Sequence, residues 1–330
     1  MPRIAENQLI GVAVNGVQLN RQRIAKYSSE VSTGLKVTNP GDSNLSGSIS
    51  QFKESLSKVD GYRTRISTVK SALIFQDDVF TQAEEIMIRA KELAEQAANE
   101  SNGVDARRHM AEEALQLRDH LVSLGNSTYQ GRYIFGGTRD DDPPFDLSST
   151  PYTNPASGAG ADHYVHDGLA GRSDTKNVNI TDNLAIEINT DGASLFNTGI
   201  EALERLSRSL LGFQTNPAVG TPDGSGNAYT FPTDFAQQTL DIKATMGLLD
   251  SAREDDFVTE RTAIGGKLRR LDTAQSLLDL TKVNTEELLD KLQNADIVES
   301  SSNLAQAQTA LEASFAVTSK ILSLSILDYI

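Results

Sequence analysis

Residues 297–330 read IVESSSNLAQAQTALEASFAVTSKILSLSILDYI, a stretch periodic enough to be helical and too thin to be stable alone. Ile297, Leu304, Leu311 and Thr318 recur every seven residues, with Phe315 and Leu322 in the half-heptad register. The positions between them are mostly Ser, Ala, Gln and Thr, so one narrow apolar stripe runs along a polar cylinder. An isolated helix of this kind is marginal in water. The stripe therefore needs a partner helix, and the segment is expected to stay disordered in the monomer until one covers it.

The start of the chain offers that partner. Ile10, Val17, Ile24 and Val31 again fall every seven residues, with Val14 and Leu35 half a heptad on. This helix is expected to stop at Thr33-Gly34, where glycine supplies a left-handed C-cap, and Asn39-Pro40-Gly41-Asp42 reads as a turn.

A much longer helix begins near Ser48. Phe52, Val59, Ile66, Leu73, Phe80, Met87 and Ala94 hold one heptad position, and Val79, Ile86 and Leu93 add a second row. That pattern predicts a coiled-coil-like rod of roughly 75 Å at about 1.5 Å per residue. It ends at Ser101-Asn102-Gly103. A second helix follows Asp105, with Met110, Ala114, Leu117, Leu121 and Leu124 on one face, and the short link makes the two antiparallel neighbours.

Composition changes after Asn126. Tyr133-Ile134-Phe135 is strand-like, Gly136-Gly137 breaks it, and Asp140-Asp141-Asp142-Pro143-Pro144 reads as a charged surface loop. Alternation returns in Val178/Ile180 and Leu184/Ile186/Ile188, closed by the turn pair Asp191-Gly192. Ile200, Leu203, Leu206 and Leu210 suggest a short helix. Helical periodicity resumes at Phe235, Ile242, Met246 and Leu249 and runs through Phe257, Ile264, Leu271 and Leu278. Arg269, Arg270, Asp272, Lys282, Glu286, Glu287 and Lys291 read as its solvated face.

The fold class is thus mainly α with a β-containing insert: an elongated antiparallel helical rod, a terminal coiled coil and a small β domain facing outward. Residues 1–38 and 296–330 form the terminal segments, 39–131 and 236–295 the rod, and 132–235 a β-rich outer domain.

With 30 basic and 45 acidic residues the formal charge is −15, which argues against nucleic acid or an anionic membrane as the main partner. There is no cysteine, so disulfides and thiolate metal sites are excluded. Met1-Pro2-Arg3-Ile4 lacks the pattern of a cleaved secretory signal, and no apolar run is long enough to span a bilayer. His163-x-x-His166 beside Asp162 and Asp167 is too weak a pattern for a metal centre. Gly136-Gly137 lacks the Lys-Ser/Thr of a phosphate loop. No catalytic residues, metal or cofactor are expected, and the chain reads as a non-enzyme.

Several short motifs resemble the flagellin superfamily of bacterial flagellar proteins, and most closely its hook–filament junction branch. Ser32-Thr33-Gly34-Leu35-Lys36-Val37, Asn39-Pro40-Gly41-Asp42, and Glu92-Leu93-Ala94 with Gln96-Ala97-Ala98-Asn99 are similar to its helix-end signatures. Gly131-Arg132-Tyr133-Ile134-Phe135-Gly136-Gly137 is the most discriminating match, because the filament branch carries a different motif there. Ile264-Gly265-Gly266-Lys267-Leu268 and Leu322-Ser323-Leu324-Ser325-Ile326-Leu327-Asp328-Tyr329 extend the resemblance to the C-terminus, whereas residues 140–235 share only a general likeness. Ser43-Asn44-Leu45 departs from the acidic-plus-Pro continuation of that branch.

The resemblance implies an extracellular structural subunit of the flagellum, exported unfolded by type III secretion and polymerised through its terminal helices. Ile10, Val14, Val17, Ile24, Val31, Ile297, Leu304, Leu311, Phe315 and Leu322 are then the assembly interface. Implied partners are further copies of the chain, a hook-associated protein, flagellin and an export chaperone. A filament flagellin is the alternative, and an unrelated coiled-coil adaptor or a helical-scaffold enzyme a third reading.

Overall fold

The computed structural model describes residues 2–37, 45–99, 102–147, 164–214 and 228–327, with side chains from Gln8 and from Gly11 to Lys320 within those ranges. The turn expected at Asn39–Asp42 lies outside them. The chain divides into two compact units, residues 1–61 with 277–330, and residues 62–276.

The elements are α1 (Pro2–Thr33), α2 (Ser46–Ala97), α3 (Val104–Gly125), β1 (Thr128–Tyr129), β2 (Arg132–Tyr133), β3 (Phe145–Leu147), β4 (Tyr164–His166), β5 (Asn177–Thr181), β6 (Leu184–Glu187), α4 (Gly192–Leu211), α5 (Phe235–Ser251), a π-helix (Ala252–Val258), α6 (Thr259–Gln293) and α7 (Ile297–Leu327). The strands form three separate antiparallel hairpins, β1–β2, β3–β4 and β5–β6. Gly34 closes α1 with φ +74°, the left-handed cap its sequence predicts.

The heptad rows set what is buried. Val59, Ile66, Leu73, Phe80, Met87 and Ala94 on α2 are all buried, as are Val79, Ile86 and Leu93 beside them. Phe257, Ile264, Leu271 and Leu278 continue the pattern on the returning helix. In the second unit, α4 packs on α3 and α5 through Phe196, Ile200, Leu203, Leu206 and Leu210. Phe196 also anchors a ring cluster, with centroids 4.9 Å from Phe135, 5.4 Å from Phe257 and 5.8 Å from Phe145, while Phe80 lies 5.4 Å from Phe135. One aromatic core thus ties α2, the segment after β2, β3, α4 and the π-helix together.

Four sequence expectations change. Helix α4 spans 20 residues, one turn and more beyond the four apolar positions that suggested it. Asp191-Gly192 is not a hairpin turn: the Asp191 carboxylate accepts the Ala193 N–H at 3.0 Å and caps α4. On the helix face read as solvated, Asp272 stays exposed and pairs with Lys70 at 2.6 Å, whereas within the first unit Lys282 is half-buried and meets Asp60 at 2.8 Å. Asp140 is no loop charge but is buried, taking Arg132 at 2.6 Å and Lys176 at 2.9 Å. Burial pushes its carboxyl up, and the hydrogen bonds from Lys176 and Arg132 outweigh this and hold it below the usual range.

The motif Gly131 to Gly137 has a steric reading. Gln130 and Gly131 both have positive φ, as a tight two-residue hairpin loop between β1 and β2 requires. Phe135 is fully buried in the ring cluster. Gly137 has φ +65°, and a Cβ there would lie 2.1 Å from the Arg172 carbonyl oxygen. Gly137→Ala is therefore expected to cost about 2–4 kcal/mol in urea unfolding. Gly11→Ala, on an exposed helix turn with open space around it, is expected to change stability by less than about 1 kcal/mol and in the stabilising direction.

The π-helix seats Phe257 in the core and leaves the neighbouring Asp256 half-buried. Burial raises the Asp256 carboxyl to about 6, against an opposing hydrogen bond from Thr198 and with added repulsion from Asp255. The folded state binds this proton more tightly than the unfolded state does. Asp256 therefore favours folding when protonated, and that stability is lost as pH rises from the ordinary Asp value of about 4 through about 6. Asp256→Asn is expected to raise stability at pH 7 by about 1 kcal/mol, after discounting for solvent screening. The gain should vanish near pH 4, as parallel urea titrations at the two pH values will read.

Candidate assembly surface

The first unit is organised by a seam between α1 and α7. Asn20 lies in it with 8% of its surface exposed, its amide donating to the Ala310 carbonyl at 3.2 Å and to Ser314 Oγ at 2.9 Å. Ten residues on, the Ser300 hydroxyl donates to Glu30 Oε2 at 2.8 Å, and both side chains are buried. Advancing along α1 from Asn20 to Glu30 retreats along α7 from Ser314 to Ser300, so the helices are antiparallel. Such buried polar pairs fix the register of a coiled coil while adding little stability.

A clamp closes the base of the seam. The Ala295 N–H donates to the Gly34 carbonyl and the Lys36 N–H to the Gln293 carbonyl, each at 2.8 Å. Leu35 and Asn294 form an isolated antiparallel bridge. Asp296 then caps α7, its Oδ1 accepting the N–H groups of Val298 at 2.9 Å and Glu299 at 3.1 Å.

The sequence stripe divides on this geometry. Val17, Ile24, Val31, Leu304 and Leu311 are half-buried, at or beside the seam. Val14 and Ile297 are exposed at 43% and 54%, and Phe315 at 47%, with the Arg21 guanidinium 5.9 Å from its ring centroid. The side chains of Ile10 and Leu322 lie outside the described residues. The positions that sequence reasoning missed are Asn20, Glu30, Ser300, Ala307 and Ser314. Asn20, Ser300, Ala307 and Ser314 each stand three or four residues from a member of the heptad row, where small and polar residues give no hydrophobic signal.

Away from the seam, Val12 and Leu19 stand seven residues apart on α1, exposed at 71% and 49%, and Val317 on α7 is exposed at 55%. These apolar side chains meet nothing that would cover them within the described unit. A surface of this kind suits helix-to-helix packing between molecules.

Only part of the histidine motif lies within the described residues. His163 lies outside the described residues, and His166 Nδ1 accepts the Gly168 N–H at 3.2 Å. Burial, set against Asp167 and Asp191, holds His166 below its ordinary value. Asp167 is taken up by the buried Arg172, with contacts of 2.6 and 2.9 Å. Among the described residues no group of three or more His, Asp or Glu could hold a metal ion, and no helix is long and apolar enough to cross a membrane.

Known proteins share this layout. Residues 4–140 match the bacterial flagellin N-terminal helical region and residues 246–330 the bacterial flagellin C-terminal helical region. The flagellar hook-associated protein 3 of Escherichia coli (strain K12) is 27% identical over 335 residues, covering 95% of both chains. Its Salmonella typhimurium counterpart is 26% identical over 338 residues with the same coverage. The crystal structure of hook-associated protein 3 from Legionella pneumophila matches with a TM-score of 0.61 at 14% identity. It covers 74% of this chain and 98% of that one, a likeness of fold. With the two flagellin helical regions matched at its two ends, the chain belongs to the flagellin family, and along nearly its whole length it is similar to hook-associated protein 3.

Proposed function

We propose that the chain is a structural subunit joining hook to filament in the bacterial flagellum, with no catalytic role. It is exported unfolded, aided by an export chaperone, and polymerises outside the cell through α1 and α7. Its neighbours are copies of itself, a second hook-associated protein and flagellin. The observation that carries this reading is the thin polar seam, which leaves Val12, Val14, Leu19, Phe315 and Val317 uncovered on its outer faces. Ile10, Val17, Ile24, Val31, Ile297, Leu304, Leu311 and Leu322 complete the interface. The names of the relatives support the junction role, and the two flagellin regions keep a filament flagellin as the second reading.

Val12→Glu combined with Leu19→Glu is expected to leave monomer stability within about 0.5 kcal/mol, as surface changes do. It should block assembly. Deleting residues 297–330 should likewise keep the thermal transition of residues 62–276 and abolish assembly; a truncated protein that still builds a continuous junction refutes the reading. In electron micrographs of a deletion strain, bare hooks with flagellin shed into the medium are the expected result. Unbroken hook-to-filament continuity would exclude the junction role, and long filaments grown from the purified protein alone would favour flagellin.

A further inference from the structure

A groove of about 360 Å³ opens in the second unit between α2 and the β1–β2 and β5–β6 hairpins. Val69, Ala72, Tyr133, Ile134, Val178 and Ile188 make it largely apolar. Its charged lining is Arg65, Arg132, Lys176 and Asp140, three cations against one carboxylate on a chain whose net charge is −15. Asp140 already holds Arg132 and Lys176, while among the described residues Arg65 donates to the Asn179 carbonyl, at 3.2 Å, and lies over the Tyr62 ring.

The groove floor is also incomplete. Gln76 is 2% exposed and donates through Nε2 to the Ile188 carbonyl at 2.8 Å, which fixes its amide orientation. Its Oε1 is buried with no hydrogen-bond partner. An unmet buried acceptor of this kind is costly and calls for a donor, from an occupant or a water held beneath one.

The first unit presents exposed apolar groups flanked by the opposite charge. Ile297 and Val298 are 54% and 81% exposed at the start of α7, and Asp296 and Glu299 flank them. Neither carboxylate forms an ion pair among the described residues. The lysines bordering that corner are otherwise engaged, Lys26 with Glu30 at 3.9 Å and Lys36 with the Lys291 carbonyl at 3.1 Å.

We propose that this groove receives the Asp296–Glu299 knuckle of a second copy of the chain, the Ile297 and Val298 side chains entering between the hairpins and the carboxylates meeting the rim at Arg65. The inference rests on the reading that copies of the chain pack against one another. The contact joins two different patches, and such heterologous contacts build rings or helical arrays rather than closed pairs.

The absence of cysteine allows a direct test. Full-length Thr68→Cys, at the exposed groove edge, and full-length Val298→Cys carry different tags and are mixed at equal concentration with copper phenanthroline. The expected result is a mixed disulfide well above the statistical share set by the two homodimers. Arg65→Glu in the Thr68→Cys copy should lower its yield roughly tenfold, the factor given by about 1.4 kcal/mol. Glu299→Lys in the other copy should restore it, which also shows that the Arg65 variant is folded. A statistical mixture, or a yield indifferent to Arg65→Glu, overturns the proposal. If that happens while assembly still depends on residues 297–330, the groove contact fails and the junction reading stands.

Discussion

The first unit depends on one long-range closure, in which the Asn20 amide reaches the Ala310 carbonyl across 290 residues of sequence. Bringing chain ends together from so far costs entropy that rises only slowly with loop length, but it must be offset by local gains. The seam itself offers little, because its most buried members are Asn20, Glu30, Ser300 and Ala307. The Gly34–Ala295 and Lys36–Gln293 hydrogen bonds resolve this difficulty. Once they and the Lys282–Asp60 pair are made, α1 and α7 start from adjacent points and the remaining loop is short. With the clamp made, closing the seam outward from it adds only short loops at each step.

Much of this architecture was legible in the sequence where burial follows large apolar residues at a fixed period. The α2 row from Val59 to Ala94 and the row Phe257, Ile264, Leu271, Leu278 are buried as the periodicity requires. The seam was legible only in half. Its heptad row at Val17, Ile24, Leu304 and Leu311 is in place, but the second row was sought at Val14 and Phe315, where large apolar side chains stand. The structure instead places Asn20, Ala307 and Ser314 in the seam, where Asn20 donates to the Ala310 carbonyl and Ser314 Oγ.

Charged residues were misread for a related reason. Asp140 and Lys282 carry no sequence mark separating a solvated charge from one drawn in by a distant partner, and their partners lie in other segments. Asp191 was ambiguous because aspartate followed by glycine serves a turn and a helix start equally well. Sequence patterns report the period of an element faithfully and the identity of its polar partners hardly at all.

The two units differ in what holds them, and that difference bears on function. Five phenylalanines in mutual ring contact tie the second unit together, each such buried ring contributing on the order of 3–5 kcal/mol against truncation to alanine. The α1–α7 seam has no comparable core, so its opening free energy belongs at the low end of the molecule's range. Covering one exposed Val or Leu by a neighbouring molecule yields about 2 kcal/mol, and Val12, Val14, Leu19 and Val317 are exposed and open to the cover that the proposed assembly would supply. Contacts between molecules can therefore outweigh the seam within one molecule. On the proposed reading, a stronger seam would stabilise the isolated chain and diminish the free-energy difference that favours assembly, which would give the weakness of the terminal helices a physical purpose.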